Sequence, residues 1–441
     1  MMFKKSMVSW SVAGALLAIS GGVAASGFAL IEQSASGLGN AYAGGAAGAE
    51  DASTIFFNPA GMTRLSGKQA VVAGHAITPS AKFADNGSTP AALQPSVGGT
   101  GGDAGGMAFV PNAYFAMEIN PKTRIGLGIN APFGLQTEYD SNWMGRFQAI
   151  KSKIETVNLN PSVSYQATDV LSVGAGLNYQ HIKGELTSAV NYSAAAFAAG
   201  GSGALTAVGG PGVEGVVTIS GADSAWGYNL GALMKLSDST RVGAAYRSTI
   251  KYTLTGTVAF TGVPAAIAAS PSLQNGDVTL PITMPDSFSV SGVHKLSDSY
   301  DVMADVTWTG WSMFEQLKID RTSGANVQTV QEKWKDTWRV SAGASHHYNE
   351  KLTVRTGIAF DQAPVSDTYR TARIPDNDRT WLSLGGQYKM SAASVIDFGY
   401  AHLFVKDSKI ADNQSAGGKG NLVGTYKNSV DILSAQYTHN F

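Results

Sequence analysis

The feature that most constrains this chain is a period-two alternation of apolar with small or polar residues, which runs with interruptions from about Lys68 to the C-terminus. Trp226, Tyr228, Leu230, Ala232, Met234 and Leu236 share one parity, and Gly227, Asn229, Gly231 and Lys235 the other. The next segment sets Val242, Ala244, Tyr246, Ile250, Tyr252 and Leu254 against Arg241, Gly243, Arg247, Thr249 and Lys251. Strand side chains alternate between faces, so each segment reads as a strand with one apolar and one polar side. No stretch beyond the N-terminus supplies the roughly 20 apolar residues of a membrane-crossing helix. If the chain is integral to a membrane, closed β-structure is the remaining way to pair its backbone.

Composition agrees. Charged residues are only 14% and glycines number 52, while hydrophobic residues are 44%. Apolar residues interleaved with Gly, Ser, Thr and Asn suit a wall with lipid on one side and a lumen on the other. A net charge of −1 gives nucleic acid no basic surface. The absence of cysteine excludes disulfides, thiol catalysis and thiolate metal sites.

Residues 1–25 read as a signal peptide. Lys4 and Lys5 form the charged region, Met7 to Ile19 the apolar core, and Val23-Ala24-Ala25 the small residues before cleavage at Ser26. The barrel then occupies 68–441 and is all-β, an antiparallel up-and-down transmembrane β-barrel of about fourteen strands. The strands begin near Gln69, Met107, Thr123, Ser152, Leu171, Asp223, Thr240, Asp277, Asp301, Trp334, Leu352, Thr380, Ala392 and Gly424. Short turns at Asn120-Pro121-Lys122, Thr168-Asp169, Ser237-Asp238-Ser239, Ser297-Asp298-Ser299 and Asn349-Glu350 alternate with long segments around 189–222, 259–276 and 362–379. Trp143, Trp308, Trp311, Trp334, Trp338 and Trp381 read as interfacial girdles, and Phe441 ends an amphipathic last strand. These features place the protein in the outer membrane of a Gram-negative cell.

Residues 26–67 lack the alternation and are rich in small residues, as in Ser34-Ala35-Ser36-Gly37-Leu38-Gly39. About eight strands is the limit that side chains alone can fill, so a wider barrel needs an occluding segment. This one reads as an N-terminal hatch, or plug, inside the lumen.

Gly27-Phe28, Ser36-Gly37-Leu38-Gly39-Asn40-Ala41-Tyr42-Ala43-Gly44 and Asn58-Pro59-Ala60, followed by Thr156-Val157-Asn158-Leu159-Asn160-Pro161, Trp226-Gly227-Tyr228-Asn229, Trp308-Thr309-Gly310-Trp311-Ser312, Arg355-Thr356-Gly357-Ile358-Ala359-Phe360-Asp361 and Ile374-Pro375-Asp376-Asn377-Asp378-Arg379, resemble in order and spacing the FadL-type outer-membrane long-chain fatty-acid transporters. The family includes carriers of aromatic hydrocarbons. The resemblance implies a fourteen-stranded barrel with an N-terminal hatch, no cofactor, no metal and no catalysis. Its substrate would be a hydrophobic small molecule, most directly a long-chain fatty acid, with aromatic or other hydrocarbons as the alternative. A monomer in outer-membrane lipid and lipopolysaccharide is expected.

Site residues follow. Asn130-Ala131-Pro132-Phe133-Gly134 interrupts the third strand, and alone it reads equally as a kink or as a strand end with Pro132 in a loop. The resemblance implies a kink that opens the wall beside the hatch, with Asn130, Pro132, Phe133 and Gly134 as the lateral opening. Asn58, Pro59 and Ala60 form a rigid turn suited to anchoring the hatch, and Phe28 is placed to reach the kink and take part in gating. Ala194 to Ala199 and Val263 to Ile267 are apolar enough to line an outer groove. A carboxylate head group needs a cation, for which Lys318, Arg339 and Arg379 are the candidates. The rivals are an outer-membrane lipid hydrolase, for which the seven scattered histidines form no evident constellation, and an open porin. His346 and His347 are adjacent on a strand and so face opposite sides, which excludes a metal pair.

Overall fold

A computed structural model describes residues 26–441; the expected signal peptide, residues 1–25, lies outside them. The strands form fourteen staves: β1 (Lys68–Asp85), β2 (Ala108–Asn120), β3 (Thr123–Asn130 with Gly134–Glu138), β4 (Lys151–Gln166), β5 (Leu171–Asn191), β6 (Glu214–Lys235) and β7 (Thr240–Arg247 with Ile250–Thr261). They continue as β8 (Gly276–Met284 with Ser287–Lys295), β9 (Tyr300–Thr309 with Gln316–Arg321), β10 (Thr337–His347), β11 (Leu352–Asp361), β12 (Arg379–Lys389), β13 (Ser394–Val405 with Ser408–Asn413) and β14 (Asn421–Asn440). A further strand, Asn326–Gln331, makes a hairpin with the upper part of β9. Neighbouring staves pair antiparallel, and β14 returns to β1 over Gln69 to Asp85, so the barrel is closed.

The expected starts lie within a few residues of the observed ones, except at β6. That stave begins at Glu214 rather than near Asp223, paired with the top of β5 from Asn191↔Glu214 onward. The segment around 189–222 therefore contains the top of β5 and the first part of β6, with a helix, Tyr192–Ala207, between the two arms. Val217 and Ile219 face inward here, and Gly215 and Gly221 dilute the pattern, so the stretch reads as loop in the sequence.

In the lower half of the wall, apolar side chains face outward: Trp226, Tyr228, Leu230 and Met234 are exposed, while Asn229 on the other parity is buried. The same does not hold across the whole of β7. Arg247 reaches the hatch and Ile250 is also buried inside, an odd separation that takes one residue out of the pleat at Ser248-Thr249. Ile250, Tyr252 and Leu254 thus point into the lumen, not outward with Tyr246 as their shared parity suggests. The breaks in β3, β8 and β13 reverse facing in the same way, as Asn130/Phe133, Met284/Ser291 and Leu403/Ser408 show. Above the breaks the barrel is apolar inside and polar outside, with Lys251, Thr253 and Thr255 exposed.

Residues 26–65 fill the lumen beneath this apolar chamber. Glycines in the wall admit the hatch backbone: a Cβ on Gly357 would lie 2.2 Å from the Asn40 carbonyl carbon, and one on Gly243 1.9 Å from the Ala46 oxygen. At its lower side the hatch is pinned by the buried Arg355 of β11, which pairs Glu50 at 2.7 Å and Asp397 at 2.5 Å. Asp51 accepts from Ser36 and from Gln436 of β14. Of the six tryptophans read as girdles, Trp338 is exposed and pairs across the ladder with Trp308. Trp143, Trp311 and Trp334 are instead buried where loops turn inward, and Trp381 is buried on the inner face of β12.

Candidate functional site

Pairing of β2 with β3 stops at Ala113↔Ile129, although β2 continues to Ala108 in register with β1. The upper arm of β3 pairs only with β4, from Gly134↔Glu155 to Glu138↔Lys151. From Asn130↔Asn158 to Gly134↔Glu155, β3 takes four steps and β4 three, so β3 carries one extra residue. Pro132, without an N–H, sits in that bulge. Phe133 is held to β4 by Thr156, whose Oγ1 accepts from the Phe133 N–H at 3.0 Å and donates to its carbonyl at 2.6 Å. The interruption is thus a kink within the stave, and it leaves a gap in the wall between Ala108–Asn112 and Gly134–Glu138.

The N-terminal segment occupies that gap. The Leu30 N–H donates to the Pro132 carbonyl at 2.8 Å and the Gly134 N–H to the Phe28 carbonyl at 2.9 Å, with Ala29 bridged to Phe133. Gln33 Nε2 donates to the Ala131 carbonyl at 3.0 Å. On the β2 side, Asn112 Nδ2 donates to the Glu32 carbonyl at 3.0 Å and the Tyr114 hydroxyl to that of Gln33 at 3.1 Å. Below, Asn130, Asn158, Asn178, Asn160 and Asn229 form a chain of side-chain bonds that Arg247 joins.

Phe28 is fully buried in an aromatic cage. Its ring centroid lies 4.8 Å from Trp311, 5.5 Å from Trp334, 5.8 Å from Phe314 and 6.1 Å from Phe133. Gly27, at φ 62°, turns the chain into the cage, and its N–H donates to Asp376. A cavity of about 150 Å³ is lined by Ala29, Leu30, Phe133, Trp311 and Arg339. A second, of about 70 Å³, is lined by Phe28 itself with Leu135, Leu254, Ile282 and Phe314. Both fall below the ~300 Å³ from which small-molecule sites usually start. Above them a groove of about 830 Å³ shares Ile219 with the second cavity and is lined by Ala194, Ala195, Phe197, Val217 and Phe260. Val263 to Ile267 stay outside this groove.

Asn58 caps the 3-10 turn Pro59–Arg64, its Oδ1 accepting from Ala60, while its Nδ2 donates to Ala46 and to Ala232 of β6. The turn rests against glycines: a Cβ on Gly231 would stand 1.9 Å from Asn58 Oδ1, and one on Gly174 2.4 Å from the Ala60 nitrogen.

The three candidate cations differ. Lys318 does not meet either cavity; it lies on the outer face between inward Leu317 and Ile319, and pairs with Asp320 at 2.9 Å. An odd-parity inner face on β9, not a polar one, explains this. Arg379 is buried but bound to Asp376 at 2.6 Å. Arg339 lines the larger cavity, donates to the Ala41 carbonyl at 2.7 Å, stacks over Trp381 and keeps its Nε without a partner.

Sequence reasoning missed the cage residues Trp311, Phe314 and Trp334, and also Arg373 and Glu332 in the wall of the smaller cavity. Arg373 donates to Ser152 at 3.0 Å, and burial lowers its pKa to about 10. Glu332 accepts from Trp334 Nε1 at 3.0 Å, and burial raises its pKa to about 8. The position of Arg373 directly before Ile374-Pro375-Asp376 is the signal that could have marked it.

Residues 16–441 match a family described as "Outer membrane protein transport protein (OMPP1/FadL/TodX)". The chain is 33% identical to outer membrane protein P1 of Haemophilus influenzae, over 93% of each chain. It is 30% identical to the long-chain fatty acid transport protein of Escherichia coli K12, over 96% of this chain and 98% of that one. Among solved structures, a Pseudomonas aeruginosa FadL homologue superposes with TM-score 0.85 at 26% identity, covering 94% of this chain and 99% of the other. The Ralstonia pickettii toluene transporter TbuX shares the fold, with TM-score 0.66 at 21% identity over 92% and 98%.

Proposed function

Because the chain belongs to the OMPP1/FadL/TodX family of outer-membrane transport proteins, we propose that it takes up long-chain fatty acids by a route that leaves the barrel sideways. The observation that carries this reading is the Phe28–Leu30 segment, which seals the wall gap and fills the chamber at once. Burial of each CH₂ favours an apolar site by about 0.8 kcal/mol, so a path from groove to chamber to bilayer keeps an alkyl chain out of water. The groove receives the ligand. It passes by Ile219 into the smaller cavity and displaces Phe28 from its cage, since neither cavity holds such a ligand as it stands. Withdrawal of Phe28 also draws Leu30 from Pro132, so entry of ligand opens the exit. Asn58, Pro59 and Ala60 hold the rest of the hatch in place meanwhile. A single chain closes the barrel, and we read the working unit as a monomer.

Arg373 is the head-group residue we favour, with Arg339 next, because each is a buried arginine that lines a cavity. A second reading, uptake of aromatic hydrocarbons, is supported by the largely apolar wall of the smaller cavity, in which Glu332 and Arg373 are the inward charged side chains. Uptake of labelled oleate and toluene by cells carrying Arg373→Met separates them. Loss of oleate uptake with toluene unchanged supports the fatty-acid reading; toluene uptake with no oleate uptake by the parent protein supports the other.

A further inference from the structure

On the outer face of β1 and β14, Lys82 stands directly opposite Lys427 in the ladder. Both are exposed, and so is Lys409 on β13, which pairs with Thr425 and is diagonal to Lys427. Like charges directly opposite each other destabilise a strand pair. On β4 and β5, by contrast, the outward lysines are matched, Lys151 with Glu185 at 3.0 Å and Lys153 with Glu155 at 2.7 Å, and where Lys235 stands opposite Arg241 it pairs with Asp238 at 2.6 Å. Here only Lys82 has an acidic neighbour, Asp103, at 3.8 Å; Lys427 and Lys409 have no ion-pair partner among the described residues. The patch lies one outward position above the row in which the exposed Phe404 pairs with Ser429, where the apolar band of β13 ends. That is about 7 Å along the strand, just beyond the end of that apolar band.

We infer that Lys82, Lys427 and Lys409 form a binding site for the phosphate of the outer-leaflet glycolipid, the lipid A part of lipopolysaccharide. An anion between the lysines converts their mutual repulsion into charge-assisted hydrogen bonds, and the acyl chains lie along the band formed by Phe404, Tyr400 and Leu433. Asp431, which also faces outward, lies two outward positions below Lys427, about 13 Å along the strand, and is bonded to His402 at 2.8 Å and Tyr400 at 2.7 Å.

The test is retention of bisphosphorylated lipid A by the detergent-purified protein, counted by native mass spectrometry. Each lysine near an anionic lipid surface accounts for about fivefold in affinity, the equivalent of ~1 kcal/mol. Lys82→Ala with Lys427→Ala is expected to weaken retention by about 25-fold. Lys427→Glu is expected to abolish it while raising the unfolding temperature of the lipid-free barrel, since it then pairs with Lys82. Unchanged retention in the double variant overturns the site. Equal retention of dephosphorylated lipid A, or equal competition by inorganic phosphate, overturns the lipid-phosphate assignment.

Discussion

The Leu30 N–H donates to the carbonyl of Pro132 at 2.8 Å, so the residue that interrupts the third stave is bonded to the N-terminal segment rather than to the neighbouring stave. A proline cannot complete a ladder as a donor, yet its carbonyl still needs a partner when buried. Leaving such a group unpaired costs about 1–3 kcal/mol. Phe28, Leu30 and Gln33 supply the bonds the kink leaves open, and so the gap is closed in this structure. Whatever removes Phe28 from its cage breaks the same bonds.

Straightening the third stave should therefore abolish transport without unfolding the barrel. In Pro132→Val with Gly134→Val, the upper arm of β3 can pair with Ala108–Asn112 and close the gap permanently. Uptake of labelled oleate is expected to fall to background, with the heat-dependent shift of the folded barrel on gels retained.

The hatch is held by close approach to glycine, so Gly231→Ala should loosen it. The added Cβ meets Asn58 Oδ1 at 1.9 Å, and overpacking of this kind costs about 1–3 kcal/mol. The measurable outcome is a lower unfolding midpoint together with ion conductance in planar bilayers above that of the parent. Parent-like conductance would argue that Asn58 is not what anchors the hatch.

Stability should fall as pH rises, through Glu332. Burial raises its pKa from the ordinary 4.5 to about 8, so the folded protein favours the protonated form. Its contribution is complete below about 4.5 and is lost as pH rises through about 8. Glu332→Gln keeps an acceptor for Trp334 but cannot ionise. The variant is expected to match the parent at pH 5 and to unfold at a higher temperature than the parent at pH 9.

Much of the barrel was legible because lipid and lumen impose opposite demands on alternate residues, and Trp226 to Leu236 display that directly. The reversals at Ser248-Thr249 and at the breaks in β8 and β13 were not legible. Parity alone does not reveal an extra residue, and Ile250, Tyr252 and Leu254 keep the apolar pattern while changing sides. The Pro132 interruption stood out as an irregularity in a periodic strand, whereas Phe28 and the Asn58 turn were marked by the family resemblance and by the turn chemistry of Asn-Pro. The Phe28 cage was not marked, since Trp311, Phe314 and Trp334 come from a loop whose inward course depends on tertiary structure. Lys318 shows the converse error, a polar residue taken for lumenal where the inner face is apolar.

The most direct test uses the pairing of Ala29 with Phe133, a non-hydrogen-bonded position at which Cα atoms stand about 4.5 Å apart, within reach of a disulfide. The chain has no cysteine of its own, so Ala29→Cys with Phe133→Cys creates a single lock on the N-terminal segment. Oleate uptake is expected to be absent under oxidising conditions and to return to the level of the Phe133→Cys single variant on reduction. Equal uptake by the oxidised and reduced double variant would contradict exit through this gap.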